Sequence, residues 1–203
     1  QGTGKTASVI WAADYLMKLG FIKRVLVLCP LSIMQSAWGG DLFKFAIHRS
    51  VAIAHSYSRE KRIEVVNSDA EFVICNYDGL QIIRDAVNNN EFDLVVVDEA
   101  NAYKTVTTKR WKILNSIIKP HTWVWMLTGT PASQSPTDAY GLARIINPAN
   151  VPKYFGTFKD LVMYKVSQFI WLPKEKAEDV VHKALQPAIR FTKEDCLDLP
   201  DMT

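Results

Sequence analysis

The sequence predicts a three-layer α/β/α sandwich on a mostly parallel sheet, followed by a small helical appendage, and three observations carry that prediction. Short runs rich in Val, Ile and Leu recur at residues 24–29, 51–54, 72–75, 94–97 and 123–127. They have the length of strands and no polar alternation, so each reads as a strand buried on both faces. Segments with helical spacing lie between them, and the alternation implies right-handed βαβ crossovers with helices on both sides of the sheet. Polar and glycine-containing segments follow several of the runs directly, where the carboxyl ends of parallel strands gather ligands.

In chain order, the first helix is expected over residues 6–19, closed by Gly20, which suits the left-handed position after a helix. Further helices are expected at 33–46, 59–66, 80–87 and 109–118, each between two apolar runs. After Pro148 the pattern changes: 158–166 and 174–185 have helical spacing and no further buried-strand run follows. Residues 1–148 therefore read as one lobe and 149–203 as an extension. No internal repeat, low-complexity tract or Gly/Ser linker interrupts the chain.

Composition narrows the function classes more than it selects among them. With 203 residues, 48% hydrophobic and 22% charged, the chain can bury a sizeable core, and no segment approaches the apolar length that spans a bilayer. The formal charge of +3 permits a nucleic-acid partner without arguing for one. Cys29, Cys75 and Cys196 are odd in number and far apart, which fits neither a disulfide framework nor a zinc site and points to a reducing, intracellular compartment. That is the cytoplasm, or the nucleus in a eukaryote. His48, His55, His121 and His182 are equally scattered and carry no metal-ligand spacing. The chain opens inside a motif and without Met, so a targeting signal further upstream stays open.

That opening motif is QGTGKT, Gln1 to Thr6, leading straight into a helix as the second half of a Walker A loop does. The loop's first glycine is expected ahead of Gln1. Gly2, Thr3 and Gly4 would let backbone amides approach phosphate oxygens, and the helix dipole favours the negative charge. Lys5 would bridge the β- and γ-phosphates, and Thr6 would offer its hydroxyl to Mg²⁺. Taken alone, the same residues could be a glycine-rich turn and a cap. The second half of the site is LVVVDEAN, residues 94–101, an apolar strand ending in paired acids. Asp98 would hold Mg²⁺, commonly through water, while Glu99 would orient and deprotonate an attacking water. Together the two motifs predict ATP or another NTP as ligand, with Lys5 and Glu99 as the catalytic pair.

The remaining motifs resemble superfamily-two helicases, and most closely the Swi/Snf-type family of DNA translocases, over nearly the whole chain. VLVLCPLSIMQSAWGGDLFKF, residues 25–45, is similar to motif Ia, including Pro30, Ser32 and Trp38. VICNYDGL, residues 73–80, is similar to the next segment, with Asn76 and Tyr77 in the usual places. DEAN, residues 98–101, resembles the helicase box, and MLTGTPASQSPTDAYGLARIINP, residues 126–148, resembles motif III with its following helix. IRFTKEDCLDLP, residues 189–200, resembles the basic stretch that precedes a second lobe. Two positions depart from the pattern: Asn101 replaces the usual His or Asp of the box, and Phe191 stands where a second arginine is usual, leaving Arg190 and Lys193 as the basic pair.

The resemblance implies a RecA-like P-loop lobe that binds ATP and Mg²⁺ and, with a second RecA-like lobe of the same protein, steps along double-stranded DNA. It implies that Asn101, Thr128, Gly129 and Thr130 couple nucleotide state to the nucleic-acid side. It further implies that Pro30, Ser32, Asn76 and Tyr77 face the nucleic-acid backbone, since amides and hydroxyls bind phosphates without reading bases. From the residues alone, Ser32 could equally be an N-cap, and the cluster Lys104, Lys109, Arg110 and Lys112 a solvated helix face. Because the implied second lobe carries an arginine finger, residues 1–203 alone are not expected to sustain hydrolysis. Two rivals stay open: a strand-separating DEAD/DEAH-type helicase acting on DNA or RNA, and a signalling or assembly ATPase indifferent to nucleic acid.

Overall fold

A computed structural model describes residues 4–132 and 134–191. The predicted α/β alternation is present. Helix α1 (Lys5–Lys18) leads to strand β1 (Val25–Cys29), and β1 passes through a 3-10 turn (Leu31–Ile33) and a π-helical turn (Met34–Gly39) into α2 (Gly40–Phe45). Then follow β2 (Val51–Ile53), α3 (Arg59–Asn67), β3 (Phe72–Asn76), α4 (Tyr77–Asn89) and β4 (Leu94–Val97). A 3-10 turn (Ala100–Tyr103), α5 (Lys109–Ile117), β5 (Trp123–Met126) and α6 (Ala139–Ile146) complete this part. Local chemistry sets the ends: Gly20, at φ 76°, closes α1 with Gly20 N–H donating to Met17 O and Phe21 N–H to Leu16 O. Ser58 and Thr108 cap α3 and α5 by accepting from Lys61 N–H and Trp111 N–H.

The five strands are parallel in the order β2-β3-β1-β4-β5. Side chains alternate across the sheet and build two cores. Val25, Val27, Ile74, Leu94 and Val96 pack under α1 and α2, while Leu26, Leu28, Val73, Val95 and Val97 pack under α4, α5 and α6. Strands β1, β3 and β4 are buried on both faces as expected, but β2 and β5 are not. These are the edge strands, and an apolar run says nothing of a strand's place in its sheet.

The segment after residue 148 packs into the same core as α6, through Phe158 and Val162 of α7 (Phe155–Val162) and Ala184 and Leu185 of α8 (Ala177–Leu185). Between these helices an antiparallel hairpin, β6 (Met163–Lys165) with β7 (Trp171–Pro173), replaces the end of the helix expected over 158–166. The hairpin is short and largely exposed, so it leaves no buried apolar run to be read.

Candidate nucleotide site

Strand polarity puts the chemistry at one edge. Asp14, in the second half of α1, is bonded to His48 and Arg49, and Arg49 reaches Glu71; these residues precede β2 and β3, so the end of α1 lies at the amino ends of the strands. Helix α1 spans about 21 Å at 1.5 Å per residue, longer than the strands it covers. Its first turn, with Lys5 and Thr6 half-buried behind Gly4, therefore projects to the carboxyl edge. Gly4, at φ 71°, caps α1 from the left-handed region that suits glycine, and its carbonyl accepts from Ser8 N–H and Ser8 Oγ. Gly2 and Thr3 lie outside the described residues.

Strand β1 sends the chain to α2 on one face and β4 sends it to α5 on the other, so a crevice opens between their ends. Asp98 stands there. It continues the alternation of Leu94 and Val96 towards the α1 face, and its N–H still donates to Leu28 O of β1 at 2.8 Å. Its side chain is held twice: Trp38 Nε1–H donates to Oδ2 at 3.0 Å and Glu99 N–H donates to Oδ1 at 2.9 Å. Both donors are neutral, and no Lys, Arg or His pairs with Asp98 among the described residues.

Glu99 follows with φ 46° and ψ 54°, a left-handed conformation that costs a residue with a Cβ about 1–2 kcal/mol. The kink turns the chain back to β5: Ala100 N–H donates to Leu127 O at 2.9 Å, and Thr128 Oγ1 donates to Asn101 Oδ1 at 3.1 Å. The amide of Asn101 thus makes the contact towards the TGT segment that the sequence suggested. Thr130 N–H in turn donates to Thr128 Oγ1 at 3.2 Å, while Gly129 faces open space. Behind the turn, α6 is drawn in by Gly141, where an added Cβ would sit 2.2 Å from Lys104 O. Trp111 Nε1–H locks that approach by donating to Gly141 O at 2.8 Å.

The four residues expected at a nucleic-acid backbone divide into two pairs. Pro30 and Ser32 lie just after β1 at the same edge, with Ser32 exposed. Ser32 is not a cap: it sits inside the 3-10 turn that Pro30 opens, and only its carbonyl is engaged, by Ser36 Oγ at 3.2 Å. Asn76 and Tyr77 are turned inward. Tyr77 donates its hydroxyl to Asp98 O, and Asn76 Oδ1 is buried beside Gly79 without a hydrogen-bond partner among the described residues. Burial, with the nearby Tyr103, Asp98 and Glu99 adding to it, pushes the Tyr77 hydroxyl far above its ordinary value, so it stays a neutral donor. Arg110 pairs with Asp78 at 2.7 Å and lies over the Tyr77 ring, and Lys104 pairs with Asp138 at 3.2 Å, so half of the basic cluster is engaged within the chain. Phe191 is exposed, and Lys193 and Cys196 lie outside the described residues. Trp38, named in the sequence only as a position of motif Ia, is a partner of Asp98 that the sequence did not show.

A parallel sheet with a helix N-terminus and an acid-tipped central strand converging at its carboxyl edge defines the nucleotide-binding lobe of a P-loop protein. The model of the SNF2-related domain matches residues 1–203, and the chain belongs to that family. It is 31% identical over 156 residues to protein p41 of Acyrthosiphon pisum secondary endosymbiont phage 1, covering 72% of this chain and 34% of that protein. It is 26% identical over 212 residues to the Caenorhabditis elegans homologue of SWI/SNF-related matrix-associated actin-dependent regulator of chromatin subfamily A-like protein 1, covering 98% of this chain and 29% of that one. The SWI2/SNF2 ATPase core of Sulfolobus solfataricus in complex with dsDNA superposes with a TM-score of 0.69 at 28% identity, over 79% of this chain and 32% of that one. The chain spans about a third of the length of these relatives.

Proposed function

We propose that this chain is the ATP-binding lobe of a motor that couples ATP hydrolysis to movement along double-stranded DNA, working with a second RecA-like lobe. The observation that carries the reading is the convergence at one sheet edge of the α1 N-terminus, the Asp98–Glu99 pair and the Thr128–Asn101 bond. Membership of the SNF2-related family and the DNA in the Sulfolobus complex support it.

In this reading Lys5 and the first amides of α1 bind phosphate oxygens, a charge-assisted contact at a helix dipole. The residues present fit Mg²⁺. Asp98 gives one lone pair of each oxygen to a neutral donor and keeps the others, its charge is unmatched by a cation among the described residues, and a hydroxyl group, Thr6, stands in the first turn of α1. When bound, the ion would neutralise charge on the phosphates. Glu99, at the left-handed turn after Asp98, orients and deprotonates water. Asn101 and Thr128, with Gly129 and Thr130, pass the state of the acidic pair to β5 and α6, while Pro30 and Ser32 offer backbone-phosphate contacts and Asn76 and Tyr77 brace the box behind them. Such a motor acts where DNA is kept, inside the cell.

The test is steady-state ATP hydrolysis by the full-length protein with duplex DNA, single-stranded DNA and RNA compared. Duplex-stimulated turnover without release of a labelled strand is expected. Strand release would make it an unwinding helicase, and hydrolysis indifferent to all three nucleic acids would overturn the motor.

A further inference from the structure

We infer that Trp38 is a positioning residue for the metal site: its indole N–H holds the Asp98 carboxylate in the orientation that accepts a divalent cation. This rests on the nucleotide site proposed above and adds to it a residue sixty positions from the box.

Trp38 is fully buried, yet its one polar atom is spent on Asp98 Oδ2 at 3.0 Å. A tryptophan needed only for packing would satisfy its N–H on any nearby carbonyl. Here the local backbone is bent to deliver it. Residues Met34–Gly39 form a π-helical turn, a rare form that inserts one residue and is found mainly at functional sites. Gly39 and Gly40, both weak helix formers, follow Trp38 where the π turn passes into α2. On the far oxygen, Glu99 N–H fixes the second direction, so the carboxylate plane is set from both sides. Neither donor brings charge, which leaves the full anion to an incoming cation; a Lys or Arg in place of Trp38 would compete with it. Partners of this kind, one shell removed from a metal, typically change its affinity by about 10–100-fold.

The experiment uses the full-length protein with Trp38 replaced by benzothienylalanine, an isostere whose sulfur stands where the N–H was, and separately W38F. Mn²⁺ affinity in the presence of ADP is read by electron paramagnetic resonance, ADP affinity is read in EDTA, and melting temperature is read for each variant. The expected result is roughly tenfold weaker Mn²⁺ binding in the isostere, with ADP affinity in EDTA and melting temperature unchanged. Unchanged Mn²⁺ affinity in the isostere would overturn the inference even if W38F is unstable, because the isostere keeps shape and loses only the donor. Equal losses of Mn²⁺ and metal-free ADP binding would also overturn it, assigning Trp38 to the shape of the pocket. Absence of ATP hydrolysis by the wild-type protein would instead strike the proposed function, since the Mn²⁺ measurement does not depend on turnover.

Discussion

Asp14 and Asp98 are the two buried carboxylates among the described residues, 8% and 5% exposed, and they sit at opposite edges of the same sheet. Asp14, at the amino edge, has Lys18 at 2.7 Å, His48 at 2.7 Å and Arg49 at 2.8 Å. Burial alone would raise its carboxyl, but hydrogen bonds from Lys18, Arg49 and His48 outweigh that and hold it well below the usual carboxylate range. Arg24, just before β1 at the same edge, is held by neutral acceptors, donating to Ala70 O, Val66 O, Ser68 O and Asn90 Oδ1. At the carboxyl edge Asp98 has two neutral donors, Glu99 is held left-handed, and Asn76 Oδ1 and Tyr103 OH are buried without partners among the described residues. One edge closes its electrostatics internally, whereas the other leaves them open to a ligand.

If the two edges divide labour in this way, substitutions at each should fail differently. The largest effect is expected from Glu99→Gln in the full-length protein: turnover falls by about 10²–10⁴-fold while nucleotide affinity and melting temperature hold, because phosphate and metal contacts remain and the base is gone. Comparable loss of nucleotide binding would reject Glu99 as the base. Asp14→Asn should do the reverse, lowering unfolding free energy by about 3 kcal/mol by leaving Arg49 short of its partner, with kcat unchanged below the melting transition. Since Asp14's folded-state pKa lies under its unfolded value of about 3.9, that stability is complete above the unfolded value and drains as pH falls below it. Denaturant melts should therefore show the gap between wild type and variant narrowing below about pH 4.

Two smaller changes sharpen the contrast within the carboxyl edge. Gly141→Ala places a Cβ against the Lys104 carbonyl at 2.2 Å, backbone that cannot yield cheaply, and should cost about 1–3 kcal/mol by thermal melt. Thr128→Val removes the donor to Asn101 at 3.1 Å, worth about 1 kcal/mol, and should lower duplex-stimulated turnover severalfold with little change in the unstimulated rate. Equal loss of both rates would make that bond a brace for the box and no relay.

The carboxyl edge of this division was legible in the chain, whereas no motif singled out Asp14 or its partners at the amino edge. The runs at β1, β3 and β4 announce themselves because a strand covered on both faces needs no polar residue, and Lys5, Asp98 and Glu99 stand in motifs of the kind that phosphate and metal chemistry would call for. The edge strands β2 and β5 read the same as the central ones, since neighbours are chosen by topology and not by local composition. The segment 33–46 reads as one helix by periodicity. Its break into 3-10, π and α turns depends on where Trp38 must end up, which no local window contains. Tyr77 is similar: the motif set it only as facing nucleic acid, whereas its hydroxyl turns to the box because β3 and β4 flank β1.

The π-helical turn makes the site a reader of length. Within Met34–Gly39 the side chains of Gln35 and Ser36 are exposed, so their identity can drift at little cost. Deleting a single residue there would let the turn relax to an ordinary α-helix and rotate Trp38 by about 100° away from Asp98. Chains that share this site should therefore vary at the positions of Gln35 and Ser36 while keeping the number of residues between Pro30 and Trp38 fixed, a spacing constraint that an identity score would pass over.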